Sequence, residues 1–212
     1  MLASGGGTNL QALIDACTSG ALDATIVEVV ADRMCGALRR AEEAGIAALF
    51  LPVAHRRDAA ERAAHDVLLA ESLAVMQPDL VVLAGWMLLL GPVMLQRFAG
   101  RTINVHPALL PEDGGETVET SCGRLPAIRG AHAVRDALML GLPVTGATVH
   151  VVTEDLDAGP VILREEAPIL PGDDETTLHE RIKSIEQVLL PRAVSKVLAA
   201  RQTAVASEKG AW

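Results

Sequence analysis

The sequence predicts an α/β fold: a single domain with an open, mostly parallel twisted sheet and helices on both faces. Three observations carry this expectation. Short runs rich in Val, Ile and Leu, such as Thr25 to Ala31 and Leu80 to Leu83, alternate with longer stretches of helical periodicity. The 212 residues contain no internal repeat, low-complexity tract or linker that would divide them. A glycine cluster, Ser4-Gly5-Gly6-Gly7-Thr8-Asn9, lies between an apolar stub and a helical pattern, as strand-to-helix turns do in such sheets.

The elements follow in order. Leu2 to Ser4 reads as the stub of a strand. The glycines break it before a helix from Asn9 to Ser19, with Thr8 or Asn9 as its N-cap. Thr25 to Ala31 reads as a strand, Gly36 to Ala44 as a helix and Ala47 to Leu51 as a strand. Amphipathic spacing gives a long helix from Asp58 to Met76, stopped at Gln77-Pro78, then a buried strand from Leu80 to Leu83. Thr102 to Val105 is a further short strand. From His106 to Gly130 the density of Pro and Gly reads as loop. A helix near His132 to Leu140 precedes Gly146 to Val152, which alternates as a half-buried strand, and Val161 to Ala167 is its expected partner. The chain is helical from Asp174 onward, with Pro191 kinking or dividing the element, and residues 203–212 read as a small, polar tail that frays.

Composition narrows the ligands. Half the residues are hydrophobic but only 2% are aromatic, with no Tyr, so the core is aliphatic and a planar ligand has few rings to stack on. Lys and Arg number 18 against 27 Asp and Glu, and the net charge of −9 disfavours nucleic acid or an anionic membrane as partner. A small anion remains accessible to a nest of backbone amides. The apolar stretch from Leu80 to Leu90 is too short to span a bilayer, and the N-terminus lacks the pattern of a secretory signal. Cys17, Cys35 and Cys122 are odd in number without CxxC spacing, and no two of the six His are spaced as ligands on one helix face. The expectation is a cytoplasmic protein without disulfides or metal.

Three segments could carry chemistry. In Ser4 to Asn9 the glycines let backbone approach an anion, and the next helix turns its free amides toward it. The Gly-Lys-Ser/Thr ending of a Walker loop is missing, and Leu10 stands where a dinucleotide fingerprint has its third glycine, although Asp32 could still bind a ribose. Asn104-Val105-His106-Pro107 ends a strand where open sheets place their ligand crevice, pairing an amide donor with a group that titrates near neutrality. In Thr148 to Pro160, Thr148, His150 and Val152 share one strand face ahead of an acidic turn. A carboxylate of that turn reaching a strand-end His would raise its pKa. His55, His65 and His179 read as surface residues.

Taken together, SGGGTNLQALIDA, LVVLAGWM, INVHPALLP, TGATVHVVTEDLDAGPVI and the terminal helix resemble the phosphoribosylglycinamide formyltransferase family, folate-dependent enzymes of de novo purine synthesis. The resemblance spans nearly the whole chain. It implies a Rossmann-like formyltransferase fold and transfer of the formyl group of 10-formyltetrahydrofolate, the cosubstrate, to the amine of glycinamide ribonucleotide. It also implies Asn104 as hydrogen-bond donor to the formyl oxygen, His106 as general acid/base, and Asp157 as the group that tunes His106 and relays a proton. Gly7, Thr8, Asn9 and Glu186 would hold the phosphate and ribose. Arg62 and the Met87, Leu88, Leu89 and Leu90 backbone would contact the folate together with Asn104, Thr153 and Asp157, the Thr153-to-Asp157 loop enclosing its pterin. His132 and Gly130 would lie near the substrate. Residues 1–100 then form a phosphate-binding half and 101–200 a folate and catalytic half, in a monomer or homodimer.

The chain also departs from the family pattern. The family usually has a few residues ahead of LASGGG, so the first strand is expected to be short or to begin upstream. Glu112 to Pro126 reads as an acidic, mobile insertion, Ile128-Arg129-Gly130 replaces the more usual Phe-Pro-Gly, and Leu88 stands where Arg is common. Two alternatives stay open: another enzyme using 10-formyltetrahydrofolate, either a deformylase or resembling methionyl-tRNA formyltransferase, or a nicotinamide dinucleotide-binding module.

Overall fold

The glycine-rich opening runs directly into helix α1 (Thr8–Thr18), and β1 (Glu28–Ala31), α2 (Gly36–Glu43) and β2 (Ala47–Phe50) follow as a parallel β-α-β unit. Helix α3 (Ala59–Met76) leads to β3 (Val81–Ala84), and the short α4 (Pro92–Arg97) to β4 (Thr102–His106). Strands β5 (Thr117–Thr120) and β6 (Gly123–Pro126) pair with each other as an antiparallel hairpin. Helix α5 (Ala133–Met139), β7 (Val144–Val151), β8 (Val161–Pro168) and α6 (Glu175–Lys209) complete the chain. The computed structural model describes residues 1–209, with side chains through Thr203.

Leu2 joins the sheet together. It bridges Val30 of β1 and Leu83 of β3, both in parallel. The Leu2 N–H donates to the Val82 carbonyl at 2.8 Å, and the Ala3 N–H to the Val30 carbonyl at 3.0 Å. The sheet therefore runs β2-β1-Leu2-β3-β4-β7-β8, parallel as far as β4 and antiparallel beyond it. Alternation along β3 sends Val82 and Ala84 to a core with Leu13, Ile182 and Leu190, and Val81 and Leu83 to one with Leu69, Met94 and Phe98. Helices α1 and α6 cover the first face, and α3 and α4 the second.

Several expectations are corrected. The stretch from His106 to Gly130 is not all loop: it holds the β5–β6 hairpin. Its polar strands conceal it, since of their residues only Val118 is buried. The tip is fastened to β8, where the Ser121 N–H and hydroxyl donate to the Glu166 carboxylate. Helix α4 was not expected, because its cap is remote in sequence: Asp66 of α3 accepts from the N–H groups of Gly91 at 2.6 Å and Val93 at 3.0 Å. Helix α1 is capped by neither Thr8 nor Asn9. Gly7 is its N-cap, in the left-handed region with φ 74°, and a Cβ there would lie 2.7 Å from the Ala37 Cα. Pro191 does not divide α6, which is one helix from Glu175. Of the tail expected to fray, residues through Lys209 continue that helix, and 210–212 lie outside the described residues. His65 is not a surface residue: it is 7% exposed and stacks on Trp86 with ring centroids 6.2 Å apart.

Candidate active site

Three parallel stretches, ending at Ser4, Ala84 and His106, bring their carboxyl ends to one edge of the sheet, and most of the expected site residues gather there. Over the first end lies the glycine loop. Its Gly6 carbonyl accepts from the Arg40 Nε at 3.0 Å, while Arg40 Nη1 donates to Gln11 Oε1 at 2.9 Å. This places a cation of α2 beside the N-terminus of α1, which no side chain caps and where free amides and the helix dipole already favour an anion. Arg40 was not picked from the sequence, because nothing in its local pattern separates it from a solvated helix charge.

Asn9 and Glu186 meet across the length of the chain. The Asn9 Nδ2 donates to Glu186 Oε2 at 2.8 Å, and Glu186 is 5% exposed. Burial pushes the Glu186 carboxyl up to about 7, against the Asn9 hydrogen bond and the Lys183 charge, which pull it down. The Asn9 Oδ1 is buried with no hydrogen-bond partner among the described residues. Two acceptors thus stand beside the anion loop, an arrangement that suits sugar hydroxyls. Asp32 is engaged at one oxygen: its buried Oδ2 meets the guanidinium groups of Arg33 and Arg56, while Oδ1 has no hydrogen-bond partner among the described residues.

The second cluster lies on one face of β4 and β7. Asn104 pairs with His150, and His106 with Thr148, in antiparallel register. Thr148 Oγ1 donates to the Ala108 carbonyl at 2.7 Å and accepts from the Leu110 N–H at 3.0 Å, fixing the turn that follows His106. Beyond β7 the chain doubles back, and Asp157 reaches both imidazoles: Oδ2 is 3.5 Å from His106 Nδ1, and Oδ1 is 3.5 Å from His150 Nε2. Asp157 also accepts from the Gly130 N–H at 2.8 Å. The loop closes on itself because Gly159 sits where a Cβ would overlap the Val151 carbonyl.

Hydrogen-bond partners assign the protons. Ile128 O lies 2.8 Å from His106 Nε2, and a carbonyl only accepts, so Nε2 carries the proton and Nδ1 is the basic atom. His150 Nδ1 likewise meets the Val151 carbonyl at 3.0 Å, leaving Nε2 to accept from Asn104 Nδ2 at 3.2 Å. One Asn104 amide hydrogen is fixed in this way, and the second is free for another acceptor. Burial would raise the Asp157 carboxyl, but the His150 and His106 rings, when they carry a proton on the nitrogen that faces it, and the Gly130 N–H outweigh burial and hold the group at about 2. His106 goes opposite to the sequence expectation. Burial lowers it by more than Asp157 and the Ile128 carbonyl raise it, and His150 and Arg129 lower it further. The imidazole rests neutral beside an ionised carboxylate.

The expected folate contacts are brought together in part. Arg62, Leu88, Leu89 and Leu90 line one small cavity with His65 and Trp86, whose buried Nε1 has no partner among the described residues. Met87 is exposed, and its N–H donates to Ser4 Oγ at 3.1 Å. Thr153 is exposed on the Asp157 loop, its hydroxyl turned to the Asp155 carbonyl. Gly130 contacts Asp157 directly, whereas His132 is exposed at the head of α5. A hollow of about 640 Å³ among Met1, Leu13, Leu22 and Val194 lies at the opposite ends of the strands and touches none of these residues.

Comparison with known proteins shows the family. Residues 1–194 match the formyl transferase family. The chain is 45% identical over 195 residues to the phosphoribosylglycinamide formyltransferase of Mycobacterium tuberculosis, covering 92% of this chain and 82% of that protein. The chain belongs to the phosphoribosylglycinamide formyltransferase family. The Escherichia coli K12 formyltransferase is 37% identical over 196 residues, covering 92% of this chain and 84% of its own length. Among solved structures, glycinamide ribonucleotide transformylase 1 from Symbiobacterium toebii superposes with a TM-score of 0.80 at 39% identity, covering 92% of this chain and 84% of that one. The fold read from the sequence, an α/β domain of the formyltransferase type, therefore holds.

Proposed function

We propose that the protein transfers the formyl group of 10-formyltetrahydrofolate to the amine of glycinamide ribonucleotide, in the cytoplasm and as a step of purine synthesis. The observation that carries this reading is the convergence of Asn104, His106, His150 and Asp157 on one buried face. The donor supplies an electrophilic formyl carbon. As the amine attacks, negative charge builds on the formyl oxygen, and the free Asn104 amide hydrogen meets it. The amine becomes acidic as it attacks, and His106 Nδ1 takes its proton. Asp157 faces that atom and stabilises the imidazolium until the proton passes to the leaving nitrogen.

In this reading the folate lies against the small cavity of Arg62 and Leu88 to Leu90: the backbone amides and carbonyls of Leu88 to Leu90 read the pterin edge, and the exposed Arg62 meets a carboxylate of the tail. The glycine loop, Arg40, Asn9 and Glu186 fit a ribose phosphate. Against the dinucleotide alternative, Leu10 stands where the third glycine is needed, and one Asp32 oxygen already meets two arginines.

The direct test mixes purified protein with 10-formyltetrahydrofolate, with and without glycinamide ribonucleotide, and follows tetrahydrofolate release. Release that depends on the amine is expected. Equal release without it would make the protein a deformylase, and saturable NAD(H) binding with no folate binding would overturn the folate reading altogether.

Glu186→Gln tests the ribose contact, with an expected rise of about tenfold in the KM for glycinamide ribonucleotide, the size of one hydrogen bond to a charged group. The same variant has a stability signature. The folded carboxyl titrates at about 7, above its free value of 4.5, so the unfolded chain loses its proton first. Stability is full below the lower value and falls as pH rises through the higher one, by up to about 3 kcal/mol. Urea unfolding between about pH 4 and 8 should show this fall in the parent and a flatter profile in the variant; parallel profiles would contradict it.

A further inference from the structure

We propose that Arg129 is a positioning residue for formyl transfer: it locks the root of the β5–β6 hairpin to the loop carrying Asp157, and so fixes the carboxylate that faces His106. The inference rests on the roles given to His106 and Asp157 above.

Arg129 joins segments that are distant in sequence. Its Nη2 donates to the Gly114 carbonyl at 2.8 Å and the Gly115 carbonyl at 2.5 Å, and its Nε donates to the Asp157 carbonyl at 3.2 Å. Among the described residues it makes no ion pair, so its charge is spent on main-chain oxygens. A guanidinium holds its donors in a rigid plane, and such a fork across two segments works as a cross-link rather than a solvated charge. The segments touch at this point: a Cβ on Gly114 would lie 2.9 Å from the Ala158 carbonyl oxygen, next to Asp157.

Asp157 needs that support. It has φ 51°, in the left-handed region that Asp enters more readily than most residues with a Cβ but that still leaves its carboxylate to be aimed by its neighbours. Residues 129 and 130 grip it at both ends, the Arg129 side chain on its carbonyl and the Gly130 N–H on its carboxylate at 2.8 Å. The groups facing His106 are Asp157, His150, Arg129 and the Ile128 carbonyl. Arg129 therefore acts in two ways: it positions the anion beside the imidazole, and its own charge opposes protonation there.

The test compares the parent with Arg129→Ala and Arg129→Lys in three measurements. These are the NMR titration of the His106 imidazole in unliganded protein, assigned with His106→Asn, the steady-state kcat and KM, and the thermal midpoint. Arg129→Ala is expected to lower kcat by roughly tenfold or more, because displacement of a catalytic group by about 1 Å can cost up to 10²-fold. The KM for glycinamide ribonucleotide should stay within about twofold, since nothing near the phosphate or ribose is touched. The His106 titration should move to lower pH in Arg129→Ala, because the Asp157 carboxylate, a stronger influence on the ring than the Arg129 charge, is no longer held beside it. Arg129→Lys should restore neither the titration nor kcat, because Lys returns the charge but not the fork. A His106 titration unmoved in Arg129→Ala would overturn the proposal, as would an unchanged kcat, whatever the thermal midpoint does. A parent protein that transfers no formyl group would sink the functional reading instead, while the titration still decides whether Arg129 governs the His106–Asp157 pair.

Discussion

Replacing His106 with Ala is expected to lower kcat by roughly 10²–10⁴-fold with little change in KM for either substrate, the range lost when a general acid/base is removed. The expectation follows from where the proton sits. With Nε2 committed to the Ile128 carbonyl, Nδ1 is the only atom of the ring that can take a proton, and the Asp157 carboxylate beside it is ionised throughout the working range. Neither Asn104 nor His150 substitutes: the amide is not basic, and His150 Nε2 is occupied by that amide. His106→Asn keeps a side chain in the buried space and guards against a loss caused by a cavity. It should be as impaired as the Ala variant, since it too cannot be protonated. The kcat of the parent should fall on the acid side, as Nδ1 becomes protonated, at a pH below that of an ordinary histidine because burial lowers the group. Either variant within about tenfold of the parent would remove His106 from the proton path.

Asn104→Ala is expected to cost roughly 10²–10³-fold in kcat, equivalent to about 3–4 kcal/mol for a lost oxyanion donor in a site shielded from water. This donor is preorganised. One of its hydrogens is fixed on His150 Nε2, which is itself turned by the Val151 carbonyl, so the amide plane is set before substrate arrives. Asn104→Asp is the sharper variant: it preserves size but presents a carboxylate to an oxygen that is gaining negative charge, beside Asp157. It should be no better than Ala, and in single-turnover measurements the defect should lie in the chemical step rather than in binding. An active Asp variant would show that the group acts by shape alone.

What the sequence discloses depends on how local each feature is. The continuous apolar run from Leu80 to Leu83 and the helical period from Asp58 to Met76 are local, and both elements form close to where they are read. The strand end at Asn104 and His106 is legible for the same reason. Helix α4 and the hairpin are not, since one is capped by Asp66 from another helix and the other buries only Val118 along its strands. In the site, Glu186 entered only through family resemblance, because its partner Asn9 is 177 residues away. Arg40 and Arg129 could not be found at all. Both bind main-chain carbonyls, which every residue carries, so no pattern of side chains marks their targets. The sign of the His106 shift was also out of reach: the sequence supplies the carboxylate but not the depth of burial that outweighs it.

The hydrogen bond between Asn9 and Glu186 also bears on how the enzyme comes into being. The first helix and the last are both needed to make it, so during synthesis this pair cannot form until nearly all of the chain has been made. The sheet obeys the same order. Leu2, made at the start, waits for Val30 on one side and Leu83 on the other. Such non-local pairing slows folding, because loop closure must precede the contacts that reward it. A nascent chain thus carries its glycine loop and Asn9 without the Glu186 partner, and the two come together only with the final helix.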